Sequence, residues 1–162
     1  MDLSIQTQEA FDGFMAVITD LTALAGDLAR IERVKADAAS QKQHQILNAC
    51  IQDEQAYLLK LRGFEQHRIR QMKVLGWDGL TFRQVLEKAD PDQKEQLTPL
   101  FTALEQRLRH LTQAKDAADQ IIRVRVHELE KLIALQGGSG YDSGGKVDLN
   151  APSHSKMKDR YV

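Results

Sequence analysis

Cysteine is almost missing from this chain: Cys50 is the only one among 162 residues, so no internal disulfide can brace the fold. A lone thiol with no identifiable base beside it reads as a buried structural residue in a reducing compartment, not a nucleophile. Neither sign of charge is in surplus, with 22 basic and 23 acidic residues and a net charge of −1. Binding a phosphate backbone needs a basic surplus on one face, so DNA and RNA are not expected as main ligands. Long hydrophobic runs are lacking too: no stretch approaches the roughly 18 apolar residues of a membrane span. The opening "MDLSIQTQEAF" has neither a basic segment nor a long apolar run, unlike a signal peptide. A cytoplasmic protein without a membrane span is expected. Aromatic residues are only 6% of the chain, and half of its ten glycines fall after Leu135.

What is present is a mixture of Ala, Leu, Gln, Lys, Glu and Arg that favours long helices. Phe11, Phe14, Met15, Ile18, Leu21, Leu24, Leu28 and Ile31 recur at threes and fours and predict one stripe of a first helix. That helix is expected to start near Ser4 or Thr7, with Thr7 as its N-cap. A tight turn is expected within "ADAAS", Ala36 to Ser40, where Asp37 and Ser40 are possible caps. A second helix is expected from about Gln41 to Leu75, closed by Gly76. Its stripe drifts between Ile51 and Phe64, which suggests more than one packing neighbour.

The joint "GWDGLTFRQVLEKADPDQKEQLTP" holds two start signals. Thr81 with Gln84 predicts a capping box and a short helix from Phe82 to Ala89. Asp90, Pro91 and Gln93 predict the start of the next. Pro99 lies too deep for an unbroken helix, and Thr98 is the preferred cap of a fresh start. From there Leu97, Phe101, Leu104, Leu108, Leu111, Lys115, Ala118, Ile122, Val126, Leu129 and Ile133 form a heptad seam. Its one polar entry is Lys115. About 35 helical residues span roughly 50 Å. The expected fold is all-α: an elongated antiparallel bundle of three long helices with a short connecting helix, over residues 1–135. Residues 136–162 are expected to form a Gly/Ser-rich flexible tail, with "QGGSGYDSGG" as its hinge.

Catalytic patterns are incomplete. "HELEK", His127 to Lys131, has lysine where a zinc-protease helix needs its second histidine. The Glu-x-x-His pairs of di-iron bundles are absent, since Arg107 and Phe64 stand three residues before His110 and His67. His44, His67 and His110 read as surface residues of amphipathic helices. "GGSGYDSGGK" follows a helix, and Val147 follows its lysine, so it is not a phosphate loop. No enzyme, cofactor or metal site is expected.

The late stretch "IIRVRVHELEKLIAL" is too apolar for one stripe. Ile121, Val124, Leu132 and Leu135 lie off the seam of Ile122, Val126, Leu129 and Ile133. A second apolar face is either packed by the first helix or open to a partner.

The layout from about Phe11 to Val162 resembles the FlgN family of flagellar export chaperones. The motifs are Glu65, Arg68 and then Gly76 at the end of the second helix, a leucine-rich third helix, and a tail with Tyr141, Gly144, Gly145, Lys146 and the terminal "KDRYV". The chain carries Asp116 and Asp119 where the family often has two asparagines. The resemblance implies a cytoplasmic chaperone without catalysis, binding flagellar hook-associated proteins and handing them to the flagellar export apparatus. It implies recognition through the C-terminal part. The expected partner-binding residues are Ile121, Ile122, Val124, Val126, Leu129, Leu132, Ile133, Leu135 and Tyr141, in a monomer or weak homodimer. The rival expectation is a structural coiled-coil protein that self-associates through the third-helix seam.

Overall fold

A computed structural model of the protein describes residues 3–135, and among these there are helices and turns but no strand. The helices are α1 (Leu3–Ser40), α2 (His44–Val74), α3 (Phe82–Lys88) and α4 (Pro91–Leu135). The tail, including Tyr141 and the expected hinge, lies outside the described residues.

α1 packs against both α2 and α4, while the backbones of α2 and α4 scarcely approach each other. The reason is the width of the buried face on α1. Ala10, Val17, Ala25 and Ala29 lie beside the large residues of the expected stripe and are buried with them. Small side chains broaden the stripe into an arc that serves two neighbours. Two neighbours were expected for α2 instead, and this is corrected: α2 rests substantially on α1, and its drifting residues Ile51 and Leu58 stay exposed. Lys35 meets Glu54, and Gly13 lies beside Gln71, so positions rising along α1 meet falling positions on α2. Phe14 meets Phe101, Gly26 lies beside Arg107 and Ala39 meets Arg125, so α1 and α4 advance together.

The core sits at one end. It joins Phe11, Phe14 and Val17 of α1, Met72 of α2, Trp77, Phe82 and Val85 of the joint, and Leu97, Phe101 and Leu104 of α4, among others. Phe14 is edge-on to Trp77 at 5.6 Å and to Phe101 at 6.0 Å, and Phe101 stacks on Phe82 at 4.1 Å. Such pairs add about 0.5–1.5 kcal/mol each beyond the area they bury. The core cluster includes nothing of α1 beyond Ala25, of α2 before Leu61, or of α4 beyond Leu111. The molecule therefore has a head with a large-residue core and a stalk without one.

Local signals build the joint as its sequence predicts. α2 ends with Gly76 at φ 75°; the Gly76 N–H donates to the Lys73 carbonyl at 3.2 Å and the Trp77 N–H to the Met72 carbonyl at 2.8 Å. This double closure is a Schellman motif. Thr81 and Gln84 exchange backbone and side-chain hydrogen bonds at 3.3 and 2.9 Å, and Asp90 and Gln93 do the same at 2.8 and 3.2 Å. Each reciprocal pair satisfies two donors that a helix start leaves open.

Three local expectations are corrected. Thr7 is no cap: α1 already runs from Leu3, and the Thr7 hydroxyl donates to the Leu3 carbonyl at 2.8 Å. Pro99 neither breaks α4 nor follows a cap, since α4 is continuous through it and Thr98 donates back to the Lys94 carbonyl at 2.7 Å. An interior proline costs about 3 kcal/mol. Here Pro99 and Glu95, whose carbonyl it leaves without a helical donor, are both exposed, so water can serve that carbonyl. Burial of Leu97, Phe101 and Leu104 on either side offsets the cost.

Third, Ala36 to Ser40 are helical, and the turn is Gln41 to Gln43. The Gln43 N–H closes onto the Ala38 carbonyl at 2.8 Å and the Lys42 N–H onto the Ala39 carbonyl at 3.3 Å. Lys42 therefore holds φ 58°, the position that glycine fills after α2. Without a glycine the sequence carries no signal for this stop. A side chain in the left-handed region costs about 1–2 kcal/mol. Lys42→Gly is accordingly expected to raise stability by about 1 kcal/mol, read as a higher urea midpoint with an unchanged slope.

Candidate partner-binding face

α4 continues past the end of α1, and Arg125 marks the point. Its Nε donates to the Ala39 carbonyl at 3.1 Å, its Nη2 to the Ser40 carbonyl, and its Nη1 pairs with Glu128 at 2.8 Å. A guanidinium on the last carbonyls of a helix satisfies acceptors with no helical partner and opposes the negative end of the helix dipole. The ten residues from Val126 to Leu135 extend beyond this anchor by roughly 15 Å.

That overhang carries most of the residues the sequence singles out. Ile121, Ile122 and Val126 are partly buried near the anchor, and Val124 is exposed. Further out, Leu129, Leu132 and Ile133 are each 54% exposed and Leu135 is 83% exposed. Of the two alternatives for this second apolar face, packing by the first helix does not occur beyond Arg125, because α1 stops at Ser40. Ile121, Val124, Arg125 and Glu128 line a notch of about 360 Å3 against Ser40. Tyr141 lies outside the described residues and is not placed beside the others. The earlier part of the seam is used within the chain: Leu97, Phe101, Leu104, Leu108 and Ala118 are buried. Pairing of two copies through the whole seam would require α1 to leave it.

A larger groove, about 620 Å3, runs between α3 and α4 over Phe82, Leu86, Phe101 and Leu108, with Arg83 and Arg109 at its sides. Among the described residues no group of three or more His, Cys, Asp or Glu is placed to hold a metal ion, and no helix is long and apolar enough to cross a membrane. His127 and Lys131 are both exposed on α4.

Sequence reasoning missed a buried charged cluster. Glu32 is only 2% exposed, and Lys35 donates to it at 3.1 Å and to Glu54 of α2 at 3.1 Å. The second Glu32 oxygen lies 3.0 Å from the same ammonium without an aligned hydrogen bond. The available signal was a Glu and a Lys at i and i+3, continuing the apolar stripe just after Ile31. Burial, and then the neighbouring Glu54, push the Glu32 carboxyl up, although Lys35 opposes them. Burial works to lower Lys35, but its bonds to the two carboxylates prevail and raise it. The causes differ: burial prevails at Glu32, and the two carboxylates prevail at Lys35. Cys50 is buried beside this cluster, and burial followed by the charge of Asp53 pushes its thiol up, away from the reactive thiolate. The Glu65–Arg68 motif is also structural: both residues are buried and joined by two hydrogen bonds of 3.1 Å.

Compared with protein-family models, curated proteins and solved structures, the chain matches none.

A raised folded-state carboxyl contributes stability that is fully present below its ordinary range and lost as pH rises through its raised value. Glu32→Gln, which keeps an acceptor for Lys35, should therefore melt with the parent in acid. It should melt above the parent as pH rises through the carboxyl range to neutrality, by about 2–4 °C for each kcal/mol relieved. Thermal melts from pH 3.5 to 7.5 measure the crossing.

Proposed function

We propose that this protein is a cytoplasmic type III export chaperone for flagellar hook-associated proteins, binding their terminal amphipathic segments. In this reading the chain is an elongated antiparallel bundle of three long helices, with neighbours along the chain running in opposite directions. The chaperone keeps its clients from assembling early and delivers them to the flagellar export apparatus. It acts as a monomer or weak homodimer and without catalysis.

The observation that carries the reading is the overhang of α4. Leu129, Leu132, Ile133 and Leu135 stand more than half in water on a helix end that no other described helix covers. An amphipathic client helix buries its apolar stripe most simply against such a face. Full burial of each of these side chains yields roughly 1.5–3 kcal/mol, and about half of that is still available here. Val124, Ile121 and the notch beside Ser40 extend the face toward the anchor. Ile122 and Val126 continue its seam side, and Tyr141 joins it from the sequence alone. The resemblance to the FlgN family supplies the class of client. The buried cysteine, the buried Glu65–Arg68 pair and the exposed His127 favour no competing catalytic role.

The test is capture of a purified hook-associated protein by the full chain and by a triple variant, Leu129→Ser, Leu132→Ser and Ile133→Ser. The variant should lose capture by at least tenfold, equivalent to about 1.4 kcal/mol. Its melting temperature should stay near that of the parent, because the three residues are already exposed. Undiminished capture would remove the face from the function. Light scattering that shows a tight, concentration-independent dimer would favour a self-associating coiled coil instead.

A further inference from the structure

The stalk half of α2 is held very differently from its head half. From His44 to Lys60 the one buried residue is Cys50. Ile46, Ile51, Leu58 and Leu59 in the same stretch are exposed. From Leu61 onward the helix contributes Leu61, Phe64, Met72 and Leu75 to the head core or its edge, and Glu65 and Arg68 are buried. Local opening free energies follow such differences in buried apolar contact. The stalk half is tied down by charge: Lys35 of α1 reaches Glu54 at 3.1 Å while also holding Glu32.

Both ends of this half carry weak points in the backbone. At one end Lys42 occupies a left-handed conformation in the turn from α1. At the other, Gly63 stands in mid-helix between Leu61 and Phe64, and a Cβ placed there would meet nothing within 4 Å. No close approach demands glycine at that position, yet glycine costs a helix interior about 1 kcal/mol relative to alanine.

We propose that residues 44–60 form a strap that lifts from α1 as a unit, pivoting at Lys42 and Gly63, when the Glu32–Lys35–Glu54 bridge parts. Lifting uncovers Cys50 and the buried end of α1 around Lys35. That end is the one Arg125 joins to α4 through Ala39 and Ser40, so opening enlarges the accessible surface beside the overhang. The use of this enlargement in client binding rests on the proposed function; the motion does not.

Cys50 is the reporter, being the only cysteine in the chain. Its labelling by an aromatic disulfide reagent at fixed pH is followed in the full-length protein without any partner. In the parent, the urea dependence of labelling should be clearly shallower than that of global unfolding, since only the strap opens. Lys35→Glu should speed labelling at least roughly tenfold, because it replaces the bridge with three carboxylates. The exchanged pair, Lys35→Glu with Glu54→Lys, should return the rate to within about threefold of the parent. Gly63→Ala should slow labelling about fivefold by stiffening the pivot. Hydrogen exchange of Lys35→Glu should lose protection over 44–60 and keep it over 64–74. A parent urea slope equal to that of global unfolding would overturn the strap. So would an unchanged rate in Lys35→Glu, no recovery in the exchanged pair, or equal loss of protection along all of α2.

Discussion

Phe14 is the point on which the rest of the molecule depends. Its ring is fully buried and meets Trp77 edge-on from the joint and Phe101 edge-on from α4, while Phe101 stacks on Phe82 of α3. One contact set thus ties the start of α1, the end of α2 through Trp77, the short helix and the start of α4. Rigid rings with defined edge and face preferences fix orientation as well as distance. Because this set lies at one end, three helices of very different length are registered from the head outward. Everything about the other end follows as a remainder: where α1 stops, how far α4 overshoots, and how little holds α2.

The stalk uses a different chemistry from the head. It buries Leu28 and Ile31 on α1, but its other buried apolar residues, among them Ala36, Ala38 and Ala39 on α1, Cys50 on α2 and Ala118 on α4, are small, bring backbones close and bury little area. Its remaining ties are electrostatic: Lys35 between two carboxylates, and Arg125 on the final carbonyls of α1. A buried bridge of this kind is weak evidence for stability, because desolvation cancels much of the attraction, but it does specify which helix lies where. Burial raises Glu32 despite the Lys35 cation, and the two carboxylates raise Lys35 despite its burial. A stiff head with a lightly held stalk suits a molecule whose proposed work is done at the stalk end.

Much of the fold was legible in the sequence because its signals are local. Both capping boxes, the glycine stop after α2 and the seam from Leu97 to Ala118 require only neighbours three, four or seven residues apart. The misreadings were of the opposite kind. Thr98 looked like a cap, but the burial of Leu97 and Phe101 kept the helix whole through Pro99. The stop at Lys42 had no glycine to announce it. The apolar residues at the end of α4 were legible as a surplus, yet periodicity alone left them either packed or open. Glu32 and Lys35 continue the apolar stripe of α1, but nothing nearby in the sequence reveals that Glu54 will close over them.

By itself, then, the sequence determined the helices, the chemistry of their ends, the absence of disulfides and the surplus of apolar side chains after Ile121. Only the tertiary structure decided that α1 lies between its two long neighbours. It also decided that α1 ends at Ser40 opposite Arg125, and that the residues of α4 after Val126 stand exposed. The physical reason is range. Helix formation and capping are settled within a turn or two of the chain. Which face is covered depends on where a separate helix runs out, and that is set some thirty residues away by the rings around Phe14.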